Sequence, residues 1–425
     1  MNTYSSYKDS GVDWIGNIPS DWEVVRNKYL FDVTKNVVGE ESDKYQLLSL
    51  TKRGVVLRDI ESGKGKFPES FDTYQTVDKG DLIFCLYDID ETPRTIGISN
   101  YSGMITGSYK VVKCNTLTDP KFIYYNYLSI DDVKGLRPYY TGLRKVVRTE
   151  TFLNLNVRVP SLQEQQQISD YLDYKTLKID KLIEKTEQKI ELLKEQRTSL
   201  INTTVTKGLD PNVEMKDSGV EWIGDVPVGW DIKPMYTRYS QNKTKNDNST
   251  STILSLSYGR LIKRNMETNF GLLPDNFDSY QLLETGFIIL RMTDLQNDHK
   301  SLRVGICEFQ GIITSAYIGL KPLTNVCSKY FFYYLYMCDL KKVFYGLGGG
   351  LRQSVSYNDF KRFPLSIPPL QEQQQIVDYI NKKTSKIDKL VDIESKRIIL
   401  LKEYRQSLIS DVVTGKVDVR DEVLV

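Results

Sequence analysis

Pro160-Ser161-Leu162-Gln163-Glu164-Gln165-Gln166-Gln167-Ile168 returns 208 residues later as Pro368-Pro369-Leu370-Gln371-Glu372-Gln373-Gln374-Gln375-Ile376. Between 160 and 206, 28 of 47 positions match those 208 further on. One structural unit is therefore used twice, and such a period has to be settled before a fold is assigned. Behind each opening, apolar residues recur in steps that sum to seven. The first set is Leu172, Ile179, Ile183, Ile190, Leu193 and Leu200; the second is Ile380, Ile387, Val391, Ile398, Leu401 and Leu408. A heptad seam of this kind predicts two long coiled-coil helices. Thr176/Thr384 and Arg197/Arg405 are polar seam positions, which lower stability but can set register and orientation. Gly208, then Asp210-Pro211, stops the first helix, and Gly415 follows the second.

Working outward, the start of each half is also duplicated. Lys8-Asp9-Ser10-Gly11-Val12-Asp13-Trp14-Ile15-Gly16 matches Lys216 to Gly224, with Glu221 for Asp13. The four tryptophans lie in or just after these lead-ins, Trp14 and Trp222 within them and Trp22 and Trp230 six residues past their ends, and packing against the following helices is the expected use of so large an apolar group. The middles, about 20–159 and 228–367, have diverged. A duplication that keeps its edges and loses its centre implies a shared scaffold or partner at the edges and two different contacts at the centres. The division is a first block with lead-in over 1–159, a central helix over 160–208, a second block with lead-in over 209–367, and a C-terminal helix and tail over 368–425.

The fold class expected is α+β: two mixed α/β blocks separated by two long antiparallel helices, related by a pseudo-two-fold repeat. Strand-like runs occur at 46–50, 81–85 and 108–112, and at 252–256, 286–290 and 316–320; the aromatic runs 122–128 and 331–337 favour helix. Two nearly identical helices pair most simply antiparallel. The alternatives are pairing with other chains, or a solvated helix lying on its own block. Pseudo-symmetry then places Ser10 to Pro19 against Val412 to Val417.

Bulk properties narrow the class. Hydrophobic content is 40% and net charge +2, enough for real cores and only a weak hint of a polyanionic partner. There is no 18-residue apolar run and no apolar stretch near Met1, so neither a membrane span nor a secretory leader is expected. Five scattered cysteines without CxxC pairs suggest free thiols in a reducing, cytoplasmic setting.

Catalytic patterns are missing. His299 is the only histidine and sits in a polar loop. There is no HExxH, GxSxG or GxxxxGK[ST]. Asp88, Asp90 and Glu91 could form a nuclease set, but the second half has only Asp294 nearby, and solvated loop charges are the simpler reading. Gly346 to Gly350 reads as a flexible loop. No cofactor or metal is expected on this chain.

Binding is what the loops suggest. The first block carries Lys52, Arg53, Arg58, Lys64, Lys66, Arg94, Arg144 and Lys145 among Gly, Ser, Thr and Tyr. The second carries Tyr258, Arg260, Lys263, Arg264, Arg291, Arg303, Arg352 and Gln353. Arg and Lys suit phosphates and guanine edges, and Gln suits adenine; ordinary solvated surface is the alternative for each.

Together the lead-ins, the Pro-x-Leu-Gln-Glu-Gln-Gln-Gln-Ile segments, and Gly311 to Tyr317 with its equivalent Gly103 to Tyr109 resemble the DNA-specificity subunit of type I restriction–modification enzymes. The resemblance covers essentially the whole chain. It implies a noncatalytic subunit whose two blocks are target-recognition domains reading a bipartite, asymmetric site in double-stranded DNA. The helices would dock two methyltransferase subunits, with restriction/translocase subunits in the full complex. S-adenosylmethionine, ATP and Mg would belong to those partners. The competing reading is a duplicated coiled-coil adaptor without DNA specificity.

Overall fold

The computed structural model describes residues 2–59, 68–264, 276–298, 301–347 and 354–422. Its helices are α1 (Pro120–Asp132), α2 (Thr149–Leu153), α3 (Leu162–Lys207), α4 (Ser328–Leu340), α5 (Tyr357–Phe360) and α6 (Leu370–Val413). The chain forms two compact units, Met1–Glu187 with Lys396–Val425, and Gln188–Ser395. Among the described residues no helix is long and apolar enough to cross a membrane.

Each unit is built on a four-stranded antiparallel sheet. In the first the order is Phe31–Thr34, Lys110–Cys114, Leu82–Phe84, Ile96–Ile98. In the second it is Tyr239–Gln241, Ile318–Pro322, Ile288–Leu290, Val304–Ile306. The central strands read as unbroken apolar runs because both sheet faces are covered. Leu82 and Phe84 face the main core with α1 residues Phe122 and Leu128. Ile83 points the other way, as the two-residue strand period requires, into a smaller core with Leu48, Val55, Val77 and Ile105. The second unit repeats this: Ile288 and Leu290 lie in the main core, and Ile289 packs with Leu254, Leu261 and Ile313. Each small core supports a β-hairpin, Leu48–Thr51 with Gly54–Leu57, and Leu254–Ser257 with Arg260–Lys263. The diverged middles thus keep one framework.

The six expected strands are all present, begun up to two residues later than the sequence suggests, and both aromatic runs are helices. α1 starts where Asp119 accepts a bond from the Phe122 amide at 2.7 Å, with Pro120 in the first turn.

Both long helices carry the heptad seam. Each of the twelve seam residues is buried or half-buried. In the first unit Leu408, Ile409 and Val412 of α6 share a core with Ile168, Leu172 and Ile179 of α3. In the second, Ile201 and Val205 of α3 join Ile376 and Ile380 of α6. The end of one helix meets the beginning of the other, which is antiparallel pairing. Both seam arginines bridge to the partner helix: Arg405 Nε to Asp180 Oδ1 at 2.9 Å, and Arg197 Nε to Asp388 Oδ1 at 2.9 Å.

The duplicated edges are internal staples. Trp22 is fully buried and its Nε1 donates to Glu164 Oε1 at 3.0 Å; Trp230 does the same to Glu372 at 3.0 Å. Gln165 donates to the Pro160 carbonyl and accepts from the Asp119 amide, tying the start of α3 to that of α1. Gln373 repeats this with Pro368 and Cys327. Trp222 stacks on Phe363 with centroids 5.1 Å apart. Trp14 departs from the packing expectation, being 39% exposed.

The first lead-in closes on the end of α6, as pseudo-symmetry suggests. Ile15 and Ile18 share a core with Val412 and Val413, and Tyr7 Oη donates to the Gly415 carbonyl at 3.0 Å. Gly415 has φ +74, and a Cβ there would lie 2.5 Å from the Pro19 ring. Gly415→Ala should therefore cost roughly 1–3 kcal/mol from overpacking and left-handed strain together. Gly11→Ala, at φ +70 with open space around it, isolates the strain and should cost less. Urea unfolding of both variants compares the two; equal losses would show that the Pro19 contact is not limiting.

Candidate nucleic-acid interface

In the first unit, the hairpin tip is Lys52-Arg53, both exposed. Thr51 shapes the turn: its Oγ1 donates to the Gly54 carbonyl at 3.0 Å and accepts from the Arg53 amide at 3.2 Å. The left-handed conformation falls on Gly54, φ +96. Arg58 and Arg94 are half-buried at the margins.

A second loop, 141–146, closes on itself through Thr141 and Val146, whose amides and carbonyls bond reciprocally at 2.9 and 3.1 Å. It leans on the loop after Phe84, where the Asp88 amide donates to the Arg144 carbonyl at 2.9 Å. Asp90 there is paired with Arg137 at 2.6 Å and Lys145 at 3.0 Å, and Lys145 also reaches Glu91 at 3.4 Å. Those cations hold the Asp90 carboxyl below its ordinary value. Asp90 is thus an anchor rather than idle solvated charge, while the Glu91 side chain is largely exposed, and Lys145 bridges the two. Arg144 stays exposed, and beside it Leu143 is completely exposed. The sequence reading expects the Gly142-Leu143-Arg144 loop to be a contact loop, and the Leu143 and Arg144 side chains are both exposed there.

The second unit has the same hairpin with another tip. Tyr258 and Gly259 both have positive φ, +46 and +74, the two-residue turn whose twist suits a hairpin. Tyr258 is 90% exposed and Arg260 is exposed next to the turn, while Lys263 is exposed at the other end of the hairpin, opposite Leu254. The Lys263 ammonium lies 5.2 Å from the Phe309 ring centroid. Arg264 is half-buried, its amide donating to the Ile253 carbonyl. Arg291 pairs with Asp298 at 2.6 Å. A cleft of about 760 Å³ opens beside the hairpin, lined by Tyr258, Arg260, Lys329, Tyr333 and Lys389 among others. Lys329 and Lys389 are further cations that the sequence reading does not single out, because only the fold brings their helices to the hairpin.

Arg303 corrects the sequence reading. It is fully buried. Its guanidinium donates to the carbonyls of Arg291, Thr293, Asp294 and Asp298 at 2.6–3.2 Å, and its Nε to Tyr345 Oη at 3.1 Å. All five donors are engaged inside the unit, so it is a clamp on the loop 291–298 and not a surface cation. Its own amide donates to Asp339 Oδ2 at 2.6 Å, as Thr95 does to Asp131 at 2.9 Å in the first unit. Lys64, Lys66, Arg352 and Gln353 lie outside the described residues, as do His299 and most of the 346–350 glycine loop.

Among the described residues no group of three or more His, Cys, Asp or Glu could hold a metal ion. The five cysteines are unpaired, and burial raises the thiol of Cys114 to about 12, far from a reactive thiolate. The site can offer cations, hydroxyls and aromatic faces on rigid turns.

A family model described as the type I restriction modification DNA specificity domain matches residues 19–192 and 303–403. The chain is 22% identical, over 434 residues and 96% of each protein, to a putative type I restriction enzyme MjaX specificity subunit from Methanocaldococcus jannaschii. It is 23% identical, over 430 residues and 95% of each, to the type I restriction enzyme MjaVIII specificity subunit of that organism. Among solved structures, a chain described under "Structural basis underlying complex assembly and conformational transition of the type I R-M system" aligns with TM-score 0.64 and 13% identity, over 94% of this chain and 99% of that one. The HsdS subunit from Thermoanaerobacter tengcongensis aligns with TM-score 0.50 and 15% identity, over 94% and 98%. At such identities the solved structures speak for the fold, and the family match speaks for the role; neither supports the adaptor alternative. The chain belongs to the type I restriction–modification DNA-specificity family and is a noncatalytic, sequence-specific DNA-specificity subunit.

Proposed function

We propose that each block reads one half of a bipartite, asymmetric DNA site, with 1–159 and 209–367 as the two target-recognition domains. On this reading the helical segments 160–208 and 368–425 dock two methyltransferase subunits. Restriction/translocase subunits join them in the full complex, and S-adenosylmethionine, ATP and Mg act on those partners. The observation that carries the reading is one hairpin with two tips. The framework under each hairpin is the same, yet one tip presents Lys52-Arg53 and the other Tyr258-Gly259. A conserved support with different reading groups suits two half-sites of different sequence.

In the first block Lys52, Arg53, Arg58, Arg94, Arg144 and Lys145 are the proposed contacts; in the second, Tyr258, Arg260, Lys263, Arg264 and Arg291. Lys64, Lys66, Arg352 and Gln353 belong to the proposal on sequence grounds alone. Arginine and lysine in such loops supply phosphate contacts that set register and base contacts that set specificity. The test replaces residues 20–159 by the corresponding block of another such subunit and maps methylation in cells that also express the partner subunits. The hybrid should keep one half-site and change the other. A hybrid that changes both halves would overturn independent reading by the two blocks.

A further inference from the structure

Tyr258 occupies a position that its own fold disfavours. At φ +46 its backbone is left-handed, a region that bulky L-residues avoid and that asparagine or glycine fills in a turn of this type. Gly259 beside it sits close to the protein: a Cβ there would lie 3.2 Å from Leu302 Cδ1 and 3.2 Å from Tyr336 Cε2. The hairpin is also anchored from below by buried Leu254 and Leu261. In return for this strain the phenol ring has almost no packing, being 90% exposed. Strain held in place by its surroundings, on a side chain without an internal role, points outward to a ligand.

The neighbourhood says what kind. Arg260 is exposed two residues on. Lys329 and Lys389 line the same cleft together with Glu308, Asp388 and Asp392, and Lys329 lies 3.6 Å from Glu308, so Arg260 is the cation nearest the ring in sequence. An exposed ring beside an arginine is an arrangement that can pack on a base edge or a thymine methyl in a groove of the duplex while the cation holds a phosphate. The first unit has no aromatic at its hairpin tip; Lys52 and Arg53 stand there.

Resting on the reading of the chain as a two-block DNA reader, we infer that Tyr258 is a specificity-determining residue that packs its ring against a base in the half-site read by the second unit. The matching turn of the first unit acts through charge. The two half-sites are then read by different chemistry at equivalent places.

The experiment uses the full-length chain assembled with the partner subunits of its system. The probes are a duplex carrying the site mapped by methylation and two duplexes with one half or the other scrambled. Tyr258→Asn should raise the unfolding midpoint by about 1–4 °C, since asparagine suits the turn. The same change should weaken binding to the intact site about tenfold. Discrimination of the first half-site should persist, and the slope of log affinity against log salt should not change, because no phosphate contact is lost. Tyr258→Phe should bind like the parent. Lys52→Ala with Arg53→Ala should instead lower the salt slope. A Tyr258→Asn protein that binds and discriminates like the parent overturns the inference, as does one with a lowered midpoint, which would make the tyrosine structural. A parent protein that fails to distinguish its site from both scrambled duplexes would remove the two-block reading, and this inference with it.

Discussion

Trp22→Ala should destabilise the first unit by about 3–5 kcal/mol, the range for a large aromatic cut back to a methyl in a packed core. Trp22 is fully buried, with Tyr4 and Phe122 edge-on at 5.8 and 6.4 Å. Its loss leaves a cavity between the lead-in and α1. It also strips Glu164 of one of two donors, leaving the Tyr4 hydroxyl at 2.7 Å, so a buried carboxylate is less well satisfied. Trp230→Ala should do the same to the second unit through Glu372. Trp14→Ala is the control: at 39% exposure it should cost well under half as much. Denaturant unfolding followed by probes in each unit reads the result, since a chain of two units need not unfold in one transition. Equal losses for Trp14 and Trp22 would refute the staple.

Arg303→Met should cost the second unit about 3 kcal/mol or more. Methionine fills part of the volume but donates nothing, so the carbonyls of Arg291, Thr293, Asp294 and Asp298 lose their shared partner. Amide exchange across 291–298 should accelerate while the sheet beneath stays protected. The variant also has a pH signature. Burial raises the Asp339 carboxyl above its ordinary value, and the Arg303 charge opposes that rise. Removing the charge raises it further. A group with a raised folded pKa makes the folded state bind protons more readily, so stability grows as pH falls through that pKa. The variant should therefore recover part of its loss on mild acidification, more than the parent gains. A loss without that recovery would mean that Asp339 does not feel the guanidinium.

The legibility of this chain in its sequence followed the range of each interaction. The heptads at 172–200 and 380–408 could be read because a seam is a local spacing, and all twelve residues are buried or half-buried. The strands were found within two residues because Ile83 and Ile289 sit in unbroken apolar runs that a sheet covered on both faces demands. Surface roles were read less well. Arg303 and Arg260 look alike as cations in polar loops, yet one is fully buried and the other exposed.

By itself the sequence determined the duplication, the two seam helices, the α+β class and the family, because each is carried by spacing or by residue identity along the chain. Only the tertiary structure decided what the charged and aromatic side chains do. Glu164 and Gln165 look like solvated residues opening a helix, and they hold a tryptophan 142 residues away and an amide 46 residues away. Asp90 looks like a catalytic or idle acid, and it anchors a loop through Arg137 and Lys145. Tyr258 looks like any turn residue until its φ and its exposure are known. A charge or a ring has its effect through whatever lies within a few ångströms of it, and the fold alone brings those distant partners close.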